Sequence, residues 1–164
     1  MGGLYVRIAR PPDSIMGNYS PAVQEFYLGM AEKTRNILID AGVMKFVYHM
    51  ARREGLDESK ITDIRVMVFP SLFRNRVMGM FHMEKRQISI FPQLPFKIPK
   101  KSRKLKFTLE DISRDQEISG KIRSETIKVL LHEVLHLKYY SERLVRAKTD
   151  QYLREFENKE MGEN

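Results

Sequence analysis

The 164-residue chain has no cysteine and no tryptophan, and it has only four histidines. Without cysteine there is no disulfide, no thiolate metal site and no sulfur nucleophile, so any metal must be held by imidazole and carboxylate. No apolar run approaches the ~20 residues of a membrane-spanning helix, and Met1 to Arg10 contains no stretch of signal-peptide length. The expectation is therefore no membrane partner and a cytoplasmic location. Repeats and low-complexity tracts are also missing. With 42% hydrophobic and 30% charged residues, residues 1–164 read as a single globular domain, long enough to bury a core without covalent staples.

Charge of one sign is in excess. The formal net charge is +8, and Lys97, Lys100, Lys101, Arg103, Lys104 and Lys106 crowd into one stretch interrupted by Pro99 and preceded by Pro95. That stretch, Lys97 to Lys106, reads as a loop which either faces solvent or meets a nucleic acid or acidic partner. Only Phe96 and Phe107 offer aromatic interleaving, and no nucleic-acid-binding module signature accompanies the charge.

The hydrophobic pattern predicts helices, then strands, then helices, an α+β order. Leu4 to Ala9 alternates as a short strand ended by Pro11-Pro12. Ser20-Pro21 is an N-cap followed by proline at the first helical position. The run Ala22 to Asp40 keeps a helical period, Gly42 interrupts it, and a second helical stretch covers Val43 to Arg53. His49 is a helix-face residue without a role. Ile64, Val66, Val68 and Phe69 form a buried strand closed by Pro70. Val77 to Met83 and Gln87 to Phe91 make a hairpin turning at Glu84-Lys85-Arg86, and the Met-rich strand belongs at a sheet edge. A helix is expected from Gly120 or Ser124 to Tyr140. Ser141 then caps a final helix through Leu144, Val145, Tyr152, Leu153 and Phe156, with a frayed end from Lys159.

Within the first of those late helices lies His132-Glu133-Val134-Leu135-His136. On a helix, positions i and i+4 project from one face, so both imidazoles can reach one metal ion. Glu133 stands about 100° around the axis from His132. From there a carboxylate can act as general base for a zinc-bound water without ligating the metal. Chance produces this pattern in on the order of one in a hundred chains of this length or fewer. Leu130, Leu131, Val134, Leu135 and Leu137 predict that the helix is buried, and burying two His and a Glu unpartnered would cost several kcal/mol.

A catalytic zinc usually takes three protein ligands and keeps one open position. Glu142, Asp150 and Glu155 are the candidates for the third. In an unbroken helix Glu142 would lie out of reach, so it can ligate only if the helix breaks near Tyr139 to Ser141. Asp150 needs a helical hairpin that returns to the level of the metal. Glu155 needs the next helix to be entered through a longer loop.

The motif and its apolar flanks resemble the active-site helix of the zincin metallopeptidases. The hairpin Val77 to Phe91 is similar to the glycine-containing edge hairpin that precedes this helix in small zincins, where the edge strand pairs with an extended substrate. His136 to Glu142 resembles the Spartan-like metallopeptidases, whose third ligand is a His six residues after the second; here that position is Glu142. The metzincin pattern would place Gly at Tyr139 and His at Glu142, and neither is present. A gluzincin would take its ligand from the following helix, where Glu155 is tolerably spaced but Lys159 replaces the accompanying acid. The resemblance covers less than half of the chain. It implies a zinc peptidase with Zn2+ on His132, His136 and Glu142 and Glu133 as the base. Tyr139, Tyr140 and His82 are candidate donors to the oxyanion, although each fits an ordinary packing or surface role better. Two rivals from other classes stand beside it. One is a metal-dependent endoribonuclease resembling the ribosomal-RNA maturation factor, whose ligand spacing matches but which needs no carboxylate at Glu133. The other is a non-enzymatic nucleic-acid-binding protein on a zincin-like scaffold.

Overall fold

Alternating β-branched residues build a small sheet, and apolar helical stripes cover it. In the computed structural model, residues 5–60, 63–68, 78–94 and 98–162 are described. The expected closing residues Phe69 and Pro70, the hairpin start at Val77, and Pro95, Phe96 and Lys97 of the basic stretch lie outside them, as does Leu4. Among the described residues the strands are β1 (Tyr5–Ala9), β2 (Asp63–Met67), β3 (Gly79–His82) and β4 (Gln87–Ile90), in the order β1-β2-β4-β3. β1 and β4 both run parallel to β2, while β3 is antiparallel to β4 and forms the edge. The sheet is therefore mixed. Among the described residues there are six helices: α1 (Asp13–Met16), α2 (Pro21–Leu38), α3 (Ala41–Arg53), α4 (Leu109–Arg114), α5 (Gln116–Leu135) and α6 (Glu142–Gly162). None is long and apolar enough to cross a membrane. The α+β class is as expected.

Ile64, Val66, Ile88 and Ile90 point from β2 and β4 into the main core, where they meet Val23 and Leu38 of α2, Val47 and Met50 of α3, Leu130, Leu131, Val134 and Leu135 of α5, and Val145 of α6. A second cluster joins Phe26 and Met30 of α2 to Ile112 of α4 and Ile122 of α5. Helix α5 thus lies under the sheet, touching α2, α3, α4, α6, β3 and β4. Its central position explains why almost every residue from Val129 to Leu135 is buried.

Local boundaries differ from expectation for identifiable reasons. The break between α2 and α3 falls at Ile39-Asp40 and not at Gly42, because the Asp40 carboxylate caps α3 by accepting from Val43 N–H at 3.1 Å. α4 is a short helix that the periodicity did not reveal, closed by a capping box between Thr108 and Asp111. Asp115 caps α5, accepting from Ile118 N–H at 3.1 Å, which starts that helix earlier than Gly120. At its other end α5 stops at Leu135, five residues short of Tyr140. α6 begins as predicted after Ser141, whose hydroxyl accepts from Leu144 N–H at 3.3 Å. It continues helical to Gly162, without the expected fraying at Lys159.

Candidate active site

The early stop of α5 determines what the site contains. His136 is its C-cap, and the next amides fold back on the last turn: Leu137 N–H donates to Val134 carbonyl at 3.0 Å and Tyr139 N–H to Leu135 carbonyl at 3.0 Å. The chain then reverses over Tyr140 and Ser141 into α6. This break removes the geometric objection to Glu142. Its carboxylate Oε1 lies 2.9 Å from His136 Nε2, and Oε2 lies 3.3 Å from His132 Nε2. The two Nε2 atoms are 3.1 Å apart.

Three donor atoms each ~2.0–2.2 Å from one tetrahedral centre stand about 3.3–3.6 Å from one another. The two imidazole Nε2 atoms are close to that spacing, Glu142 turns a different oxygen to each of them, and one ligand atom from each of the three residues falls within 4.8 Å of the others. The second imidazole is also oriented for the task. His136 Nδ1 lies 3.0 Å from the Tyr139 carbonyl, an acceptor only, so Nδ1 donates there and Nε2 is the ring nitrogen turned toward the cluster. The donor set fits a zinc ion.

Glu133 is buried, 7% exposed, beside this cluster. Burial pushes its carboxyl up to about 7; the nearby His136 opposes that shift, Glu142 adds to it, and a hydrogen bond from the Phe81 backbone N–H opposes it. For His132, burial pushes the imidazole below its ordinary value. The Glu142 carboxylate works against that, and the charges of His136 and Arg146 work with it. A carboxyl poised near neutrality next to a metal-type donor cluster can both take and return a proton.

The bond to Phe81 ties the site to the sheet edge. Phe91 N–H donates to the Met78 carbonyl at 3.1 Å, so with the register Gly79 to Ile90 and Phe81 to Ile88 it is Met80 and His82 that face β4. Gly79 and Phe81 turn their backbone groups outward. Glu133 takes one of these groups, the Phe81 N–H. The approach of strand to helix is close: a Cβ on Gly79 would stand 2.6 Å from Val129 Cγ1 and 3.1 Å from Glu133 Cγ. Glycine is needed here for space, since its backbone is extended. Met78, Gly79, Lys128, Val129, His132, Glu133, Glu142, Arg146 and Asp150 line one cleft of about 520 Å³.

No family model, curated protein or solved structure matches the chain.

Of the residues expected from sequence, the structure brings His132, Glu133, His136 and Glu142 together. Asp150 lines the same cleft but lies 3.7 Å from Lys128 Nζ, and it is not in the donor cluster. Glu155 is turned away to Arg53, at 2.8 Å. The three proposed oxyanion donors are elsewhere. The Tyr139 hydroxyl donates to Glu54 at 2.6 Å, Tyr140 is 82% exposed, and His82 Nε2 lies 3.2 Å from Ser89 Oγ; none of them lines the cleft. His49 sits on α3 with its ring 5.9 Å from that of Phe46 and does not line the cleft. The described cations of the basic stretch, Lys100, Lys101, Arg103, Lys104 and Lys106, do not line the cleft either. Part of that stretch is pinned to the start of α2, where Ser20 N–H donates to the Lys100 carbonyl at 2.9 Å. Arg146 and Lys128 are cleft residues that the sequence reading did not single out. The i, i+4, i+8 spacing of Glu142, Arg146 and Asp150 on α6 was the available signal.

Proposed function

We propose that the protein is a zinc-dependent peptidase that hydrolyses an extended polypeptide segment on a zincin-like scaffold. The observation that supports it most is the position of Glu133, a buried carboxyl set between the His132, His136 and Glu142 cluster and the outward edge of β3. His132, His136 and Glu142 would hold the ion, which supplies a Lewis acid and a bound water of lowered pKa. Glu133 takes the proton of the attacking water and passes it to the departing amine, a role for which a buried carboxyl beside the ion is placed. The outward backbone groups of Gly79 and the Phe81 carbonyl offer hydrogen bonds to a peptide laid along the edge, as in strand addition. Arg146, at 3.8 Å from Glu142, and Lys128 place positive charge in the cleft.

The test is to incubate zinc-loaded protein with an unfolded polypeptide and to identify new termini by mass spectrometry. New amino and carboxyl termini that disappear on chelation are expected. Intact polypeptide in the presence of stoichiometric zinc would contradict the reading.

A further inference from the structure

Glu54 is a buried carboxylate with no part in the chemistry above. It forms the C-cap of α3 and is 8% exposed. Its Oε1 accepts from Tyr152 OH at 2.6 Å and from Lys148 Nζ at 3.0 Å, both on α6, while Oε2 accepts from Tyr139 OH at 2.6 Å. Lys138 Nζ donates to the Glu54 backbone carbonyl at 2.5 Å. Lys138 and Lys148 also flank the Tyr139 ring, at 5.3 and 5.1 Å from its centroid. Burial alone would push the Glu54 carboxyl up, yet the hydrogen bonds from Tyr139, Tyr152 and Lys148 and the Lys148 charge hold it down at about 2. It is an ionised acceptor at any ordinary pH.

Tyr139 is gripped from both ends. Its hydroxyl is held by Glu54, and its carbonyl accepts the Nδ1 proton of His136. It also belongs to the short link between α5 and α6 that sets where Glu142 begins its helix. We infer that Glu54 is the positioning residue of the metal centre, acting through Tyr139 to fix the His136 ring and the α5-to-α6 reversal that carries Glu142. This rests on the zinc-site reading above but not on peptide cleavage. A charged acceptor with two tyrosine hydroxyls and a lysine is a directional clamp. Groups that hydrogen-bond a ligand directly typically change metal affinity by ~10–100-fold, and Glu54 acts one contact further out, through Tyr139.

Two of its arms separate the roles. Tyr139→Phe removes the hydroxyl that ties Glu54 to the link, and Tyr152→Phe removes the one that ties it to α6. Zinc affinity is measured by competition with a chromophoric chelator, together with the visible spectrum of the cobalt-substituted protein. Tyr139→Phe and Glu54→Gln are expected to weaken zinc by about 10-fold, the lower end of that range, and to alter the cobalt bands, while Tyr152→Phe stays within about threefold of the parent with an unchanged spectrum. If Glu54→Gln does not fold, Tyr139→Phe, which lacks one oxygen at a half-buried position, carries the test. Parent-like affinity in Tyr139→Phe, or equal losses in Tyr139→Phe and Tyr152→Phe, would overturn the assignment. Because no substrate is present, a protein that binds zinc without cleaving peptides would sink the peptidase reading and leave this result standing.

Discussion

At Glu133, burial works against charge. Its carboxyl is held at about 7 against an ordinary 4.5, so between those values the unfolded chain gives up its proton before the folded one does. Stability of the metal-free protein from this group is thus full below about 4.5 and declines as pH rises through about 7. Glu133→Gln should raise stability at pH 8 by on the order of 1–3 kcal/mol and change it little at pH 5, measured by denaturant unfolding without metal. A larger gain at pH 5 than at pH 8 would reverse the sign and contradict the burial argument. The neighbouring carboxylates separate by metal binding. Glu142→Ala should weaken zinc by at least the ~10–100-fold that a supporting group is worth, whereas Asp150→Ala, which loses only its Lys128 contact, should stay within a few-fold. Calorimetric titration with zinc distinguishes them.

Elements bring these residues together, and here the sequence was informative in some places and silent in others. His132, Glu133 and His136 could be read because their relation is local: one helix, spaced four apart. Ser141 as the cap of α6 was equally legible. The end of α5 was not, since Leu137, Tyr139 and Tyr140 continue an apolar run, and the turn is held by Glu54 some 85 positions away in the chain. The partners of Tyr139 and His82, Glu54 and Ser89, were illegible for the same reason, because tertiary packing sets them. Sheet order is also non-local: nothing in β2 and β4 announces that they pair in parallel while β3 takes the edge. Gly79 stands where β3 presses on α5, so Gly79→Ala should destabilise by about 1–3 kcal/mol through overpacking. Pairing it with Val129→Ala, which clears the atom 2.6 Å from the new Cβ, should recover part of that loss. A double-mutant cycle by chemical denaturation reads the coupling, and strict additivity would mean that strand and helix do not press at this point.

Across the whole molecule, the described cations of the basic stretch lie outside the cleft. Glu54 connects α3, the α5-to-α6 link and α6, and its carboxyl is held at about 2 against an ordinary 4.5. A depressed acid contributes stability that is present above its unfolded value and lost as pH falls through the folded one. The protein should therefore lose stability from about pH 4.5 downward toward 2, and Glu54→Gln should show a shallower decline over the same range. Urea midpoints followed from pH 6 to pH 3 check this, and parallel curves would show that the Glu54 charge does not matter to the fold. The basic residues Lys100, Lys101, Arg103 and Lys104 are not in the cleft, so neutralising all of them should leave zinc affinity and peptide cleavage unchanged even if it abolishes salt-sensitive binding of nucleic acid. The central claim is that Glu133 acts as the base of a zinc peptidase. Its most direct measurement is the rate at which an unfolded polypeptide is cut by the parent and by Glu133→Gln at equal zinc occupancy. The account predicts a loss of about 100-fold or more with zinc still bound, and cutting at the parent rate would contradict it.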